Sequence, residues 1–419
     1  MVARCWPPVA GARLGRVVSG PGRPSGGPTA RDLAWAGVVV VAVAAALVAL
    51  SAWAYADLGP AMRAHSRTPH GVPSGPLGWL QAWSWWDGEW YVDIARRGYY
   101  FIPGRMSSVA FFPAYPLLIR GLSPVVGDSV LAGFLITLGC GVAGCVAFYA
   151  WAHERLGREK ARAALPLLLA YPCSFYLFGA LYADALVLLL AVCAFVLLEH
   201  ERPLLAGVVG ALATATRPVG IAVAVGLWLR ALERRGLLRR GALAGESVRS
   251  TLARLRPDAG LLLAPAGLAV YCTYLWVRFG QPLAFVEAES GWRQTPGWRT
   301  WLKVEWFARM ARAPYIDAPH AHLVLNALVS VVALALVGLV FRRVSPAYGW
   351  FVLVLLVGAT VSTMDFVGMG RYVMTAFPLF AAVADGVADR PAVRRALLVG
   401  GAVLLVVTTQ FHARNMLIS

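Results

Sequence analysis

Apolar stretches long enough to cross a bilayer recur along this chain, and they leave few folds open to it. A hydrocarbon core of about 30 Å needs about 20 residues of helix. Residues 35–55, 130–151, 261–277, 323–341 and 396–412 are the plainest stretches of that kind. Of the 419 residues, 59% are hydrophobic and only 14% charged, and the mean hydropathy is +0.64. Soluble domains run nearer a quarter charged. A water-soluble core could not hide this much apolar surface, so lipid is the solvent for much of it. The fold class expected is an all-α polytopic membrane protein with about eleven spans.

The formal net charge of +17 could suggest a nucleic-acid binder. Its placement argues otherwise, because the basic residues sit in short segments between spans, which is how topology is encoded. Only Lys160 and Lys303 of the 38 basic residues are lysines. No nucleic-acid partner is expected. Most of the six cysteines lie inside apolar stretches and no CxxC occurs, so they read as small buried apolar residues.

Residues 1–34 are rich in Gly, Pro and Arg and read as a disordered cytoplasmic tail. Ala54-Tyr55-Ala56 imitates a signal-peptidase site, but the preceding apolar stretch is too long for a signal sequence, and it reads as a retained anchor. Arg13, Arg16, Arg23 and Arg31 place the N-terminus inside. The first span then delivers residues 56–127 to the outside, and the second returns to Arg155, Arg158, Lys160 and Arg162. A hairpin follows, out over 163–178 and back over 183–198. Residues 204–229 are interrupted by Thr214-Ala215-Thr216-Arg217-Pro218 with basic residues beyond, which predicts two short helices meeting near Arg217, the second started by Pro218. A second long external segment covers 279–321. The later charge clusters alternate to leave the C-terminus outside.

The first external loop is dense in aromatic residues, including Trp79, Trp83, Trp85, Trp86, Trp90, Tyr91, Tyr99, Tyr100, Phe111, Phe112 and Tyr115. Such rings suit a membrane–water boundary. The expectation is interfacial helices over roughly 77–97 and 112–121, with most rings forming an anchoring belt. Asp87 sits among these indoles in Trp85-Trp86-Asp87-Gly88-Glu89-Trp90-Tyr91. A carboxylate there is expected to lose hydration and become a better base, with Gly88 letting a substrate approach the backbone. On a helix Asp87 faces the same way as Tyr91, and Glu89 the same way as Asp93. Asp93 also precedes Arg96 and Arg97 at ion-pair spacing. Asp184, Arg217 and Arg371 stand at the outer ends of spans. Such charges either snorkel to water or serve function, and a guanidinium like that of Arg217 suits a bidentate phosphate contact. His320 and His322 are too little to specify a metal site, and no metal centre is expected.

With these residues assembled, the chain resembles the PIG-V family of mannosyltransferases. The matching residues run from Trp86-Asp87-Gly88-Glu89-Trp90-Tyr91 through Tyr99, then Ala110-Phe111-Phe112-Pro113-Ala114-Tyr115-Pro116-Leu117. Pro172-Cys173-Ser174-Phe175-Tyr176 with Leu181-Tyr182-Ala183-Asp184, Ala215-Thr216-Arg217-Pro218, and Gly370-Arg371-Tyr372 with Ala376-Phe377-Pro378-Leu379 resemble later blocks. Asp184 departs from the pattern, since the family more often carries Glu there. The resemblance implies a GT-C glycosyltransferase: a bundle of spans that takes a sugar from a polyprenyl phosphate. Its catalytic module would cover 35–280, including the loop 56–127, with 281–419 adding the second loop and the last helices.

What the resemblance implies for the site is a catalytic acid at Asp87 on the extracytoplasmic side of the cell membrane. Glu89, Tyr91, Asp93, Asp184, Arg217 and Arg371 are the candidate substrate-binding residues. The reaction expected is inverting transfer of a sugar, mannose by the resemblance alone, to an acceptor hydroxyl on a lipid, glycan or protein. No cofactor is expected beyond the polyprenyl-phosphate sugar donor. An arginine opposite a lipid monophosphate does not in principle require a divalent ion. The competing reading is a multi-span transporter or lipid flippase, which is disfavoured because the acids gather in an external aromatic loop and no repeat is evident.

Overall fold

A computed structural model describes residues 27–58, 77–238, 247–312 and 318–416, and among these there is no strand. Residues 1–26 of the expected tail, with Arg13, Arg16 and Arg23, lie outside the described residues, as does part of the first loop at 59–76. The first helix, α1 (Ala30–Ala56), begins inside the expected tail. Its start is set by a capping box in which Thr29 Oγ1 accepts from the Asp32 amide at 3.3 Å while the Asp32 carboxylate accepts from the Thr29 amide at 3.3 Å.

The helices that follow are α2 (Asp87–Arg97), α3 (Ala114–Val126), α4 (Ser129–Leu156) and α5 (Arg158–Leu169). Next come α6 (Asp184–Glu199), α7 (Pro203–Thr214), α8 (Ile221–Arg234), α9 (Val248–Leu255) and α10 (Ala266–Phe279). The second long loop carries α11 (Ala284–Ala288), α12 (Trp298–Trp301) and α13 (Val304–Arg312). The chain ends with α14 (Ala318–Arg343), α15 (Pro346–Ser362), α16 (Met369–Thr375), α17 (Pro378–Gly386) and α18 (Pro391–Ala413).

Among the described residues four helices are long and apolar enough to cross a membrane: α1, α4, His322–Arg343 of α14, and α18. A fifth candidate is the pair Arg249–Leu263 and Ala266–Phe279, bent by 45° at its break. Only 22 to 44% of the apolar windows of the four is buried within the protein, so lipid must cover the rest. The other expected crossings fall on shorter or broken helices. Residues 204–229 resolve as expected into α7, a break at Arg217, a 3₁₀ turn Pro218–Gly220 and then α8. The expected spans 163–178 and 372–387 are likewise interrupted, by the 3₁₀ turn Ser174–Leu177 and by the step from α16 to α17.

Packing between these pieces relies on backbones that touch, as is usual where small residues line helix contacts in membranes. A Cβ placed on Gly141 of α4 would fall 1.7 Å from the Leu177 carbonyl oxygen. One on Gly207 of α7 would lie 2.0 Å from the Gly260 oxygen, and one on Gly267 of α10 1.9 Å from the Ala211 oxygen.

Two ionic clusters mark the two ends of α6. At its C-terminus, Glu199 accepts from Arg230 Nε at 2.7 Å, Arg155 Nη1 at 3.2 Å and the Tyr348 hydroxyl at 3.1 Å. Arg230 also holds Glu233 at 2.8 Å. Four helices are therefore tied to a single carboxylate that is only 9% exposed. Removing one member of such a network strands the others, which costs about 3–5 kcal/mol. Glu199→Ala is expected to lower stability by about that amount, read as a fall in the thermal midpoint of detergent-solubilised protein. The other cluster lies at the N-terminus of α6, about 24 Å away along its axis.

Candidate active site

The first loop reaches the N-terminus of α6 because its aromatic rings are buried inside the protein. Trp83, Trp85, Trp90, Phe112 and Tyr115 are each no more than 4% exposed. The anchoring belt expected for most of these rings is therefore overturned. The ring of Trp83 fills the space above Gly179, where an added Cβ would come within 2.6 Å of it. The Trp83 carbonyl takes the Leu181 amide at 2.8 Å, so the loop is sewn to the turn preceding α6. Trp85 donates to the Ala413 carbonyl at 3.4 Å, fastening the same stretch to α18. Gly88 serves this packing too, as a Cβ there would lie 3.3 Å from that of Leu181. The helix expected over 77–97 is split into the 3₁₀ stretch Gly78–Trp83 and α2, while the second forms as α3, which turns Leu117, Leu118 and Val125 outward. Exposed rings occur instead in the second loop, at Trp298, Trp301 and Phe307.

Asp87 opens α2. The preceding residue, Trp86, has φ 62°, a left-handed conformation that turns the chain sharply into the helix. The Tyr182 hydroxyl lies 3.2 Å from both the Asp87 amide and the Trp85 carbonyl, and so bridges this turn to the start of α6. The Asp87 carboxylate accepts from Arg371 Nη1 at 2.7 Å. Asp87 keeps 34% of its side chain exposed while Arg371 keeps 8%. The dry cage of indoles expected around Asp87 is thus replaced by an open carboxylate with a buried guanidinium behind it.

Arg371 lies on α16, and its guanidinium stands 4.8 Å over the Tyr182 ring and 5.6 Å over that of Tyr176. It also comes within 4.0 Å of Asp184 Oδ2. Asp184, fully buried at the first position of α6, pairs with Arg217 from the break between α7 and α8. Arg217 in turn lies 4.7 Å over the Tyr372 ring. One alternating network results, Asp87–Arg371–Asp184–Arg217, drawn from four separate stretches of chain. Neither the Asp184 Oδ2 atom nor Arg371 Nε has a hydrogen-bond partner among the described residues, although both are buried. Two polar atoms are therefore available to an entering group at the centre of the cluster.

The remaining candidates divide. Tyr91 is brought to the cluster and feels the charges of Asp87, Asp184, Arg217 and Arg371. Burial pushes its hydroxyl well above the usual tyrosine range, so it stays a hydrogen-bond donor. Its ring meets Phe111 and Tyr115 edge-on. Asp93 faces Arg97 at 3.6 Å, the ion pair its spacing implied, and does so from a buried position. Glu89 is buried two residues along α2 from Asp87, hence on the other side of the helix. Among the described residues no group of three or more His, Cys, Asp or Glu side chains could hold a metal ion.

Two residues that the motifs did not single out complete the surroundings. His412 of α18 is buried behind Arg371 among the rings of Trp83, Phe175, Tyr176 and Tyr182. Glu289 comes from the second loop, in the 3₁₀ turn Glu289–Trp292, and feels the charges of Asp87 and Arg217. Loss of hydration first, and the Asp87 charge second, push its carboxyl up to about 7, against the pull of Arg217.

That loop is fastened over the approach to Arg371. The Lys303 ammonium donates to the carbonyls of Thr360 and Thr363, Arg309 Nη1 reaches Asp365 at 3.3 Å, and Gln294 Oε1 takes the Met364 amide at 2.6 Å.

No protein-family model matches the chain, and no curated protein matches it. Two solved structures of similar shape are an oligosaccharyltransferase from Archaeoglobus fulgidus and ArnT from Cupriavidus metallidurans bound to undecaprenyl phosphate. The first is 16% identical, with a TM-score of 0.40 over 88% of this chain, which spans 52% of that protein's length. The second is 14% identical, with a TM-score of 0.49 over 90% of this chain and 76% of that one.

Proposed function

We propose that this chain is a membrane glycosyltransferase of the GT-C type, moving a sugar from a polyprenyl phosphate to an acceptor hydroxyl. The observation that supports this reading best is the joining of Asp87, Asp184, Arg217 and Arg371 into one network, buried except for its open carboxylate, Asp87. These are the residues on which the resemblance to the PIG-V family converged, and mannose is the sugar that resemblance implies. The site would face the extracytoplasmic side, as the distribution of basic loops implies.

In the mechanism we propose, Asp87 accepts the proton of the acceptor hydroxyl while that oxygen attacks the anomeric carbon. The new C–O bond forms on the face opposite the departing phosphate, and configuration inverts. The electron pair of the broken bond goes to the lipid monophosphate. Arg217 and Arg371 carry the donors that stabilise it. Tyr91, held protonated, is a donor for a sugar or acceptor hydroxyl.

The test is transfer of label by the full chain in vesicles, supplied with labelled polyprenyl-phosphate mannose and an envelope extract as acceptor source. A labelled product is expected. Uptake or flipping of the donor without any product would replace this reading with transport. Arg217→Ala is expected to slow transfer about 100- to 1000-fold, the usual effect of losing a donor to a developing anion. Arg217→Lys should recover part of that loss, since it keeps the charge without the fork. Wild-type rates in both variants would remove Arg217 from the leaving-group site.

A further inference from the structure

Glu289 has no part in the mechanism above, and nothing in its local sequence marks it. Its position is nonetheless closely determined. The turn that carries it follows α11, whose Ala284 and Ala288 pack with Val109, Phe112, Tyr271 and Leu275. Gly291 in the same turn abuts the first loop so closely that a Cβ would lie 2.1 Å from the Met106 amide nitrogen. Trp292 meets Trp90 at 5.3 Å and Phe111 at 5.9 Å, and Trp90 is one helical turn from Asp87. The Glu289 carbonyl takes the Gln294 amide at 3.0 Å, closing the turn. Backbone contact and ring packing together hold Glu289 over the start of α2. The charged groups acting on it are Asp87 from α2 and Arg217 from the break after α7. The rings packed beside its turn, Trp90, Phe111 and Trp292, carry no charge.

We propose that Glu289 is a further carboxylate of the transfer site, contributed by the second loop, and that it shares with Asp87 the proton released by the acceptor hydroxyl. This rests on the glycosyl-transfer reading. Asp87 is already committed to Arg371, whereas Glu289 comes from the second loop, loses hydration there and feels the Asp87 charge. The proton leaves the hydroxyl as the C–O bond forms, rests on the pair, and returns to water once the lipid phosphate has gone. No oxidant or additional reactant is needed. Because the Glu289 carboxyl is pushed up to about 7, it becomes a base only as the pH rises through neutrality.

The same residue leaves a second signature. Its folded-state value lies above the ordinary 4.5, so the folded protein binds the extra proton between the two. Its effect on stability is therefore neutral at low pH and becomes a cost as pH rises through about 7.

Glu289→Gln tests both consequences in the full chain, in the vesicle assay described above and by thermal unfolding. Transfer is expected to fall about 10- to 100-fold, and the rise in rate through neutral pH seen in the wild type should disappear. The thermal midpoint of the variant should exceed that of the wild type at about pH 8 and match it at about pH 4. Glu289→Asp should restore part of the rate. A Glu289→Gln variant with an unchanged rate and an unchanged pH profile overturns the proposal. If the wild type itself transfers no label, the reading under Proposed function fails instead. The midpoints then decide the placement of Glu289: equal values at the higher pH overturn it.

Discussion

Asp87→Asn is expected to abolish nearly all transfer, by about 100- to 10,000-fold, the usual contribution of a positioned general base. The substitution is nearly isosteric, so the carboxamide oxygen can still accept from Arg371, and the buried rings around Trp85 need not move. The loss should therefore appear in kcat, with the donor KM little changed. The measurement is steady-state transfer from labelled polyprenyl-phosphate mannose, with circular dichroism and thermal midpoints as controls for folding. Transfer by Asp87→Asn at the wild-type rate would take Asp87 out of the chemistry. The network around Arg371 would then be only a scaffold.

Gly141→Ala is expected to be the most damaging of the glycine substitutions outside the site. The new methyl would fall 1.7 Å from the Leu177 carbonyl oxygen, a backbone atom that cannot rotate away. Accommodating it requires α4 to move from the turn Ser174–Leu177, at a cost of about 3 kcal/mol or more given the usual range for overpacking. That turn leads directly to Tyr182 and Asp184, so activity should fall together with stability. A lowered thermal midpoint and a reduced yield of folded protein are the expected readouts. An unchanged midpoint would show that the helices can part at little cost, against the close contact seen here.

Much of this architecture was legible in local patterns. Hydropathy placed the long spans because lipid demands a continuous apolar helix. The break at Arg217 was legible because a proline beside a charge interrupts an apolar run, and both effects are local. Four residues singled out from the motifs, Asp87, Asp184, Arg217 and Arg371, lie together in one network.

What the pattern could not separate was a ring at the membrane boundary from a ring in a protein interior. Trp83 and Trp85 suit either place, because both reward a large apolar surface with one polar edge. Burial decided between them, and burial depends on distant partners such as Gly179 and Ala413. Pairings across the chain were equally invisible. Nothing local tells Arg371 to bind Asp87, and an isolated glutamate at 289 in a long loop carries no periodic signal.

The alternation of two acids with two arginines has a consequence for how an anionic lipid would be received. The four formal charges cancel, so the network by itself offers no standing positive potential to draw an anion from a distance. A headgroup would have to compete with carboxylates already in place, and its recognition would rest on the geometry of the guanidinium forks more than on attraction. The same self-compensation would favour turnover, because each arginine has a waiting counterion when the spent carrier departs.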